Sequence, residues 1–218
     1  MHELSFSAGG EKLDALLLRP ASARLLYVLA HGAGAGMRHS WLQQMADALS
    51  DQGVATFRYQ LPYMQAGRRR VDPPAVVHAA VRSAVAAAHE FEPDLPLIAG
   101  GKSFGGRMTT QAQAEAPLPL VRGIALLGYP LHPARMRSVQ RAEHLPRVGV
   151  PLLFLQGTRD ELANLTLLRP MVEKLPRAHL RIIEGADHSF HVLKRSGRTD
   201  ADVLRELARA LSEWSNAL

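Results

Sequence analysis

The chain has 218 residues, of which 47% are hydrophobic and 21% charged, and its formal net charge is +6. This length and composition predict one globular domain over residues 1–218, with enough apolar residues for a substantial core. The absence of cysteine excludes a disulfide framework, a cysteine metal site and a thiol nucleophile. Neither a signal peptide nor a membrane-length apolar run appears, so we expect a cytoplasmic protein without a membrane partner.

The positive charge does not predict a nucleic-acid partner. The 26 lysine and arginine residues are scattered along the chain, apart from the run Arg68-Arg69-Arg70. Proteins that bind nucleic acid concentrate basic residues in a patch, often interleaved with aromatic residues, and this chain has no such patch. We therefore expect no nucleic-acid binding.

Short apolar segments alternate with amphipathic ones along the chain. Strands are predicted at residues 3–7, 13–19, 25–30, 53–58, 95–100, 121–127, 150–156 and 180–184. Helices are predicted after an N-cap at Ser40, after Asp72, directly after residue 103, within 165–175 with Pro170 in the first turn, and after a cap at Thr199; a short helix is also predicted near 135–144. This alternation indicates an α/β fold: a three-layer α/β/α sandwich around a mostly parallel, twisted sheet of about seven to eight strands.

One predicted strand ends in a pattern that carries chemistry. The residues Gly101-Lys102-Ser103-Phe104-Gly105 fit G-x-S-x-G, which places a serine on a sharp strand-to-helix turn with its hydroxyl exposed above the sheet. The serine backbone is strained there. The glycines two residues before and after it are needed because a Cβ atom would clash with neighbouring backbone.

Three further motifs follow the ends of predicted strands. They are the glycine loop His31-Gly32-Ala33-Gly34, the aspartate Asp160 and the histidine His188. Ligands of open α/β sheets collect at the carboxyl ends of the strands. Because Ser103 lies at such an end too, we expect the serine, the aspartate and the histidine to form one site.

These motifs resemble the α/β-hydrolase superfamily, and in particular its small, lidless branch that includes dienelactone hydrolase. The resemblance covers essentially the whole chain, and Ser, Asp and His occur in the order that this fold requires. The strongest matches are His31-Gly32-Ala33-Gly34-Ala35-Gly36-Met37, Gly100-Gly101-Lys102-Ser103-Phe104-Gly105-Gly106-Arg107, Gln156-Gly157-Thr158-Arg159-Asp160 and Gly185-Ala186-Asp187-His188-Ser189-Phe190.

The resemblance and the chemistry of these side chains imply a role for each. Ser103 is the expected nucleophile, His188 the base that takes its proton, and Asp160 the group that orients the imidazole. The oxyanion hole is expected from the backbone N–H groups of Ala33 and Phe104. Two alternatives stay open, namely Gly34 as the oxyanion donor and His191 as the base.

Four residues are expected near the substrate. Gly34 belongs to the glycine loop, and Tyr63 is expected in the pocket wall. Lys102 either steadies an anionic substrate or makes a surface ion pair. Arg69, with its two arginine neighbours, either reaches a bound carboxylate or phosphate or belongs to a solvated loop.

The sequence therefore predicts a serine hydrolase that cleaves an ester or thioester of a small soluble substrate through an acyl-enzyme. No metal and no organic cofactor is expected. The alternative is a catalytically weak protein that uses the hydrolase fold as a binding or scaffold module. The acyl group, the leaving group, acyltransferase or peptidase activity, and the oligomeric state stay open.

Overall fold

Eight strands form one sheet in the computed structural model, which describes residues 1–218. The strands are β1 (His2–Ala8), β2 (Glu11–Leu18), β3 (Leu25–Ala30), β4 (Val54–Tyr59), β5 (Leu97–Lys102), β6 (Val121–Leu127), β7 (Leu152–Gly157) and β8 (Ala178–Ile183). The helices are α1 (Ser40–Ser50), α2 (Pro62–Gln65), α3 (Pro74–Phe91), α4 (Phe104–Glu115), α5 (Leu165–Glu173) and α6 (Asp200–Ser215). No helix combines the length and the apolar character needed to cross a bilayer.

The sheet is mostly parallel, as predicted. Its strand order is β1-β2-β4-β3-β5-β6-β7-β8, and every neighbouring pair from β4 to β8 is parallel. Only β1 and β2 introduce antiparallel pairs, at one side of the sheet. The carboxyl ends of β3 to β8 consequently lie along one edge, and the four sequence motifs follow the ends of β3, β5, β7 and β8.

The core lies on both faces of the sheet. Successive residues of β3 alternate between two apolar clusters: Leu26 and Val28 belong to the cluster that includes residues of α3, α4 and α5, whereas Tyr27 and Leu29 belong to the one that includes residues of α1 and α6. Strands covered on both faces read as continuous apolar runs rather than alternating patterns. The three-layer sandwich predicted from the sequence is therefore confirmed.

Two helix starts match the prediction, at Phe104 and after Thr199, whereas those of α1, α3 and α5 differ from it. The cap of α1 is His39, whose side chain accepts a hydrogen bond from the backbone N–H of Trp41 at 3.2 Å, so Ser40 is the first helical residue. The cap of α6 is Thr199, which forms a capping box with Asp202 as an N-cap threonine can. Capping residues compete at adjacent positions, and the sequence does not rank His39 above Ser40.

The predicted position of Pro170 is wrong. Asn164 caps α5 through its side-chain oxygen, which accepts from the N–H of Thr166 at 2.9 Å, so the helix begins at Leu165 and Pro170 is its sixth residue. The helix predicted near 135–144 is also absent, and two single-turn 3₁₀ segments, Gln140–Ala142 and Leu145–Arg147, occupy this region. The proline-rich connection between β6 and β7 has too little amphipathic periodicity to sustain a full helix.

Candidate active site

The turn between β5 and α4 holds Ser103 in a strained conformation. Its φ of 50° and ψ of −114° lie in a region that non-glycine residues rarely adopt. A Cβ on Gly105 would lie 2.5 Å from the carbonyl oxygen of His31, and one on Gly101 would lie 2.5 Å from that of Ala30. The predicted need for both glycines is confirmed, because the turn packs backbone against backbone at the end of β3.

Ser103, His188 and Asp160 form a continuous hydrogen-bonded chain. The Nε2 atom of His188 lies 2.8 Å from the Ser103 hydroxyl, and its Nδ1 atom lies 2.7 Å from Oδ2 of Asp160. The Asp160 side chain is fully buried, whereas that of His188 is 26% exposed. A carboxylate can only accept, so Nδ1 donates to Asp160 and Nε2 is left to accept the serine proton.

A glutamine to which the sequence motifs assign no role supports the aspartate. Gln156, fully buried at the end of β7, donates from Nε2 to Oδ2 of Asp160 at 2.5 Å and accepts the N–H of Tyr129 through Oε1 at 2.9 Å. The backbone N–H of Leu162 donates to Oδ1 of Asp160 at 2.8 Å. One feature of the sequence could have indicated this role: an amide side chain follows the apolar run of β7, residues 152–155.

The glycine loop after β3 is fixed by polar contacts with the segment after β4. His31 donates through Nδ1 to the carbonyl of Gly32 at 2.8 Å, and its Nε2 accepts the N–H of Leu61 at 3.1 Å. Burial lowers the pKa of His31 to about 4, which the hydrogen bond to Gly32 partly opposes. The imidazole is thus neutral at neutral pH, as its two contacts require, and it anchors the loop beside Ser103.

The loop presents a backbone donor without a partner. The N–H of Gly34 donates to the hydroxyl of Tyr63 at 2.8 Å. By contrast, the N–H of Ala33, at an exposed position, makes no hydrogen bond within the chain, and neither does the N–H of Phe104 at the start of α4. Tyr63 itself is fully buried beneath the loop.

The arginine run after α2 is distributed over an exposed loop. Arg68 forms an ion pair with the buried carboxylate of Asp72 at 2.7 Å. Arg69 is exposed and makes no hydrogen bond or ion pair, and it does not line the cleft at Ser103. The structure therefore does not bring Arg69 together with the serine, the histidine and the aspartate.

An open cleft of ≈ 440 Å³ lies over Ser103. Its walls come from the glycine loop, from Trp41 and Leu42 of α1, from Leu162 after β7, and from Lys102 and His188. A volume of this order suits a small organic ligand. His191 lies outside the cleft at an exposed position, where its Nδ1 atom contacts Asp200 at 2.9 Å.

Comparison with known proteins agrees with the geometry. A family model described as an alpha/beta hydrolase domain matches residues 23–216. The chain belongs to the α/β-hydrolase family. This hydrolase is similar over 98% of its length to a dienelactone hydrolase from Anabaena variabilis, with 25% identity, 95% of that chain covered and a TM-score of 0.76.

Two further structures share the fold at lower identity. An alpha-beta serine hydrolase homologue from Coxiella burnetii has 18% identity and a TM-score of 0.77, with 96% of this hydrolase and 97% of that chain covered. A serine hydrolase without lid from Xanthomonas campestris has 19% identity and a TM-score of 0.75, with 98% and 94% covered. The resemblance to lidless α/β hydrolases stated from the sequence is thereby confirmed.

The backbone contact at the serine turn predicts a selective effect of alanine substitutions on stability. Gly105→Ala should destabilise the protein by about 1–3 kcal/mol, because the new methyl group meets fixed backbone of β3. Gly32→Ala is the matched control, since a Cβ there would lie 3.7 Å or more from its neighbours. Urea unfolding of both variants checks this, and equal stabilities would contradict it.

Removal of the glutamine behind Asp160 should also lower stability. Gln156→Leu leaves the buried N–H of Tyr129 without an acceptor and removes one donor from Asp160. We expect a loss of about 1–3 kcal/mol in the free energy of unfolding. Gln140→Leu, at an exposed glutamine whose side chain makes no hydrogen bond, should change it by less than about 0.5 kcal/mol. If Gln156→Leu were as stable as its control, Gln156 would not stabilise the fold by linking Tyr129 to Asp160.

Proposed function

We propose that this α/β hydrolase is a serine hydrolase that cleaves an ester or thioester of a small soluble substrate through an acyl-enzyme. The observation that carries the proposal is the hydrogen-bonded chain from the Ser103 hydroxyl through His188 to Asp160. It lies at the floor of a cleft, beside a backbone N–H with no partner. These are the parts that acyl transfer needs.

In the first step, Nε2 of His188 accepts the proton of Ser103 as its oxygen attacks the substrate carbonyl carbon. A serine hydroxyl is a weak nucleophile until such a base takes its proton. The imidazolium then donates that proton to the leaving oxygen or sulfur, and the acyl group stays on Ser103. A water molecule, deprotonated by the same imidazole, releases the acid in the second step.

We assign the stabilisation of the oxyanion, which carries the negative charge of the tetrahedral intermediate, to the N–H groups of Ala33 and Phe104. Both lack an acceptor within the chain, so both are available to a substrate oxygen. Gly34 is the weaker candidate because its N–H already donates to Tyr63. Donors fixed in backbone need no reorganisation when the charge forms, which is why such groups stabilise transition states strongly.

The expected substrate size follows from what surrounds the cleft. Between β6 and β7, where a long connection could cover the site, the chain forms only two single-turn 3₁₀ segments. The cleft of ≈ 440 Å³ is open, with Trp41, Leu42 and Leu162 on its walls. Similar structures include a dienelactone hydrolase and an esterase domain from Rhodothermus marinus. These features together favour a small ester with an apolar portion.

The proposal is tested with chromogenic esters and thioesters of increasing acyl length. Ser103→Ala should lower kcat by about 10⁴-fold or more on every substrate that the wild type cleaves, because the triad acts as a unit. Ser189→Ala is the control, since this exposed serine lines the same cleft, and its kcat should stay within about twofold of wild type. Equal hydrolysis by wild type and Ser103→Ala would refute the proposal.

A further inference from the structure

Lys102, which occupies the second position of the G-x-S-x-G pattern, turns its side chain toward the histidine loop. Its ammonium group donates a hydrogen bond to the backbone carbonyl of His188, with an Nζ–O distance of 2.6 Å. Gly128, with a φ of +68°, leaves room for this contact, because a Cβ there would lie 3.1 Å from Nζ. The lysine therefore joins the end of β5 to the loop that carries the imidazole.

Aromatic rings complete the surroundings of the ammonium. Nζ lies 5.8 Å from the ring centroid of Trp41 and 5.4 Å from that of Phe190, and the two rings stack with centroids 5.7 Å apart. A cation over such faces is attracted by the ring quadrupole. Phe190 follows His188 in the same loop, so both contacts of the lysine hold that loop.

Lys102 does not make the surface ion pair considered from the sequence. No carboxylate lies within salt-bridge distance of Nζ, and the side chain is largely buried at the edge of the cleft. A buried ammonium without an ion partner is costly. The hydrogen bond from Nζ to the His188 carbonyl therefore compensates part of the cost of burying this charge.

We propose that Lys102 is a positioning residue of the hydrolytic site, which fixes the backbone of His188 so that the imidazole stays between Ser103 and Asp160. The proposal rests on the function proposed above for Ser103 and His188. The imidazole is held at its two ring nitrogens, by the serine and the aspartate. The lysine adds a third contact on the main chain, which restricts the remaining freedom of the loop.

The charge of Lys102 makes this contact sensitive to alkaline pH. Burial lowers the pKa of Lys102 to about 8, and the carboxylates of Asp160 and Asp187 oppose that shift. The group that accepts from Nζ is a backbone carbonyl, and the other neighbours of Nζ, which are Trp41 of α1, Phe190 of the histidine loop and Gly128 after β6, carry no charge. Above this pKa the neutral amine keeps a weaker hydrogen bond and loses its attraction to the rings.

The test compares wild type, Lys102→Met, Lys102→Arg and the control Lys174→Met, at an exposed lysine on the end of α5. Each variant is assayed from about pH 6 to about pH 10, with a neutral 4-nitrophenyl butyrate and an anionic 4-nitrophenyl hemisuccinate. Thermal unfolding verifies that each variant is folded. The ring N–H proton resonance of His188 in the NMR spectrum reports its geometry independently of turnover.

We expect Lys102→Met to lower kcat about tenfold on both esters near neutral pH, because small misplacements of a catalytic group are costly. Lys102→Arg should recover part of that loss, and Lys174→Met should match wild type. The wild-type kcat should fall partially as pH rises through about 8, whereas neither Lys102 variant should show that fall. The His188 resonance should shift in Lys102→Met.

Two results would overturn the positioning role. One is a Lys102→Met enzyme with wild-type kcat and an unchanged His188 resonance, while Ser103→Ala is inactive. The other is a loss confined to KM for the anionic ester, which would make the lysine a substrate contact. If Ser103→Ala hydrolyses both esters as fast as wild type, the proposed function fails. The positioning role of Lys102 is then tested by the His188 resonance alone: a shift in Lys102→Met supports it, and an unchanged resonance refutes it.

Discussion

The close approach of two backbones, at the ends of β3 and β5, is the constraint on which the rest of the site depends. Gly105 and Gly101 allow the serine turn to lie against the carbonyls of His31 and Ala30. This contact does two things at once. It places Ser103 beside the glycine loop, and it begins α4 there, so that the first N–H groups of the helix face the same space.

Several buried polar groups near that contact form hydrogen bonds with one another and with the surrounding backbone. Asp160 receives hydrogen bonds from Gln156, from His188 and from the N–H of Leu162, while His31 and Tyr63 satisfy the backbone of the glycine loop. Each group would be costly to bury alone. The N–H of Ala33, a residue that lines the cleft, makes no hydrogen bond within the chain, and this donor is therefore assigned to the substrate.

Much of this arrangement could be predicted from the sequence. Apolar runs separated by amphipathic segments fixed the layered fold, and residues after strand ends identified Ser103, Asp160 and His188 as neighbours; their catalytic roles remain predictions. The contacts of Gln156 and Lys102 could not be predicted. Both residues stand within the quoted motifs, but a motif does not give the partner of a side chain. Gln156 accepts from Tyr129 and Lys102 donates to His188, and each of these partners lies far away in the chain. The predicted position of Pro170 was wrong because Asn164, six residues upstream, caps the helix and starts it earlier.

Ser103 is the activated nucleophile of the proposed reaction. The most direct measurement is the reaction of the folded protein with a fluorophosphonate, followed by peptide mass spectrometry to locate the adduct. We expect one adduct, on Ser103, formed much faster than in His188→Ala and absent from Ser103→Ala. Equally weak labelling of wild type and Ser103→Ala, or an adduct on another serine such as Ser189, would contradict it.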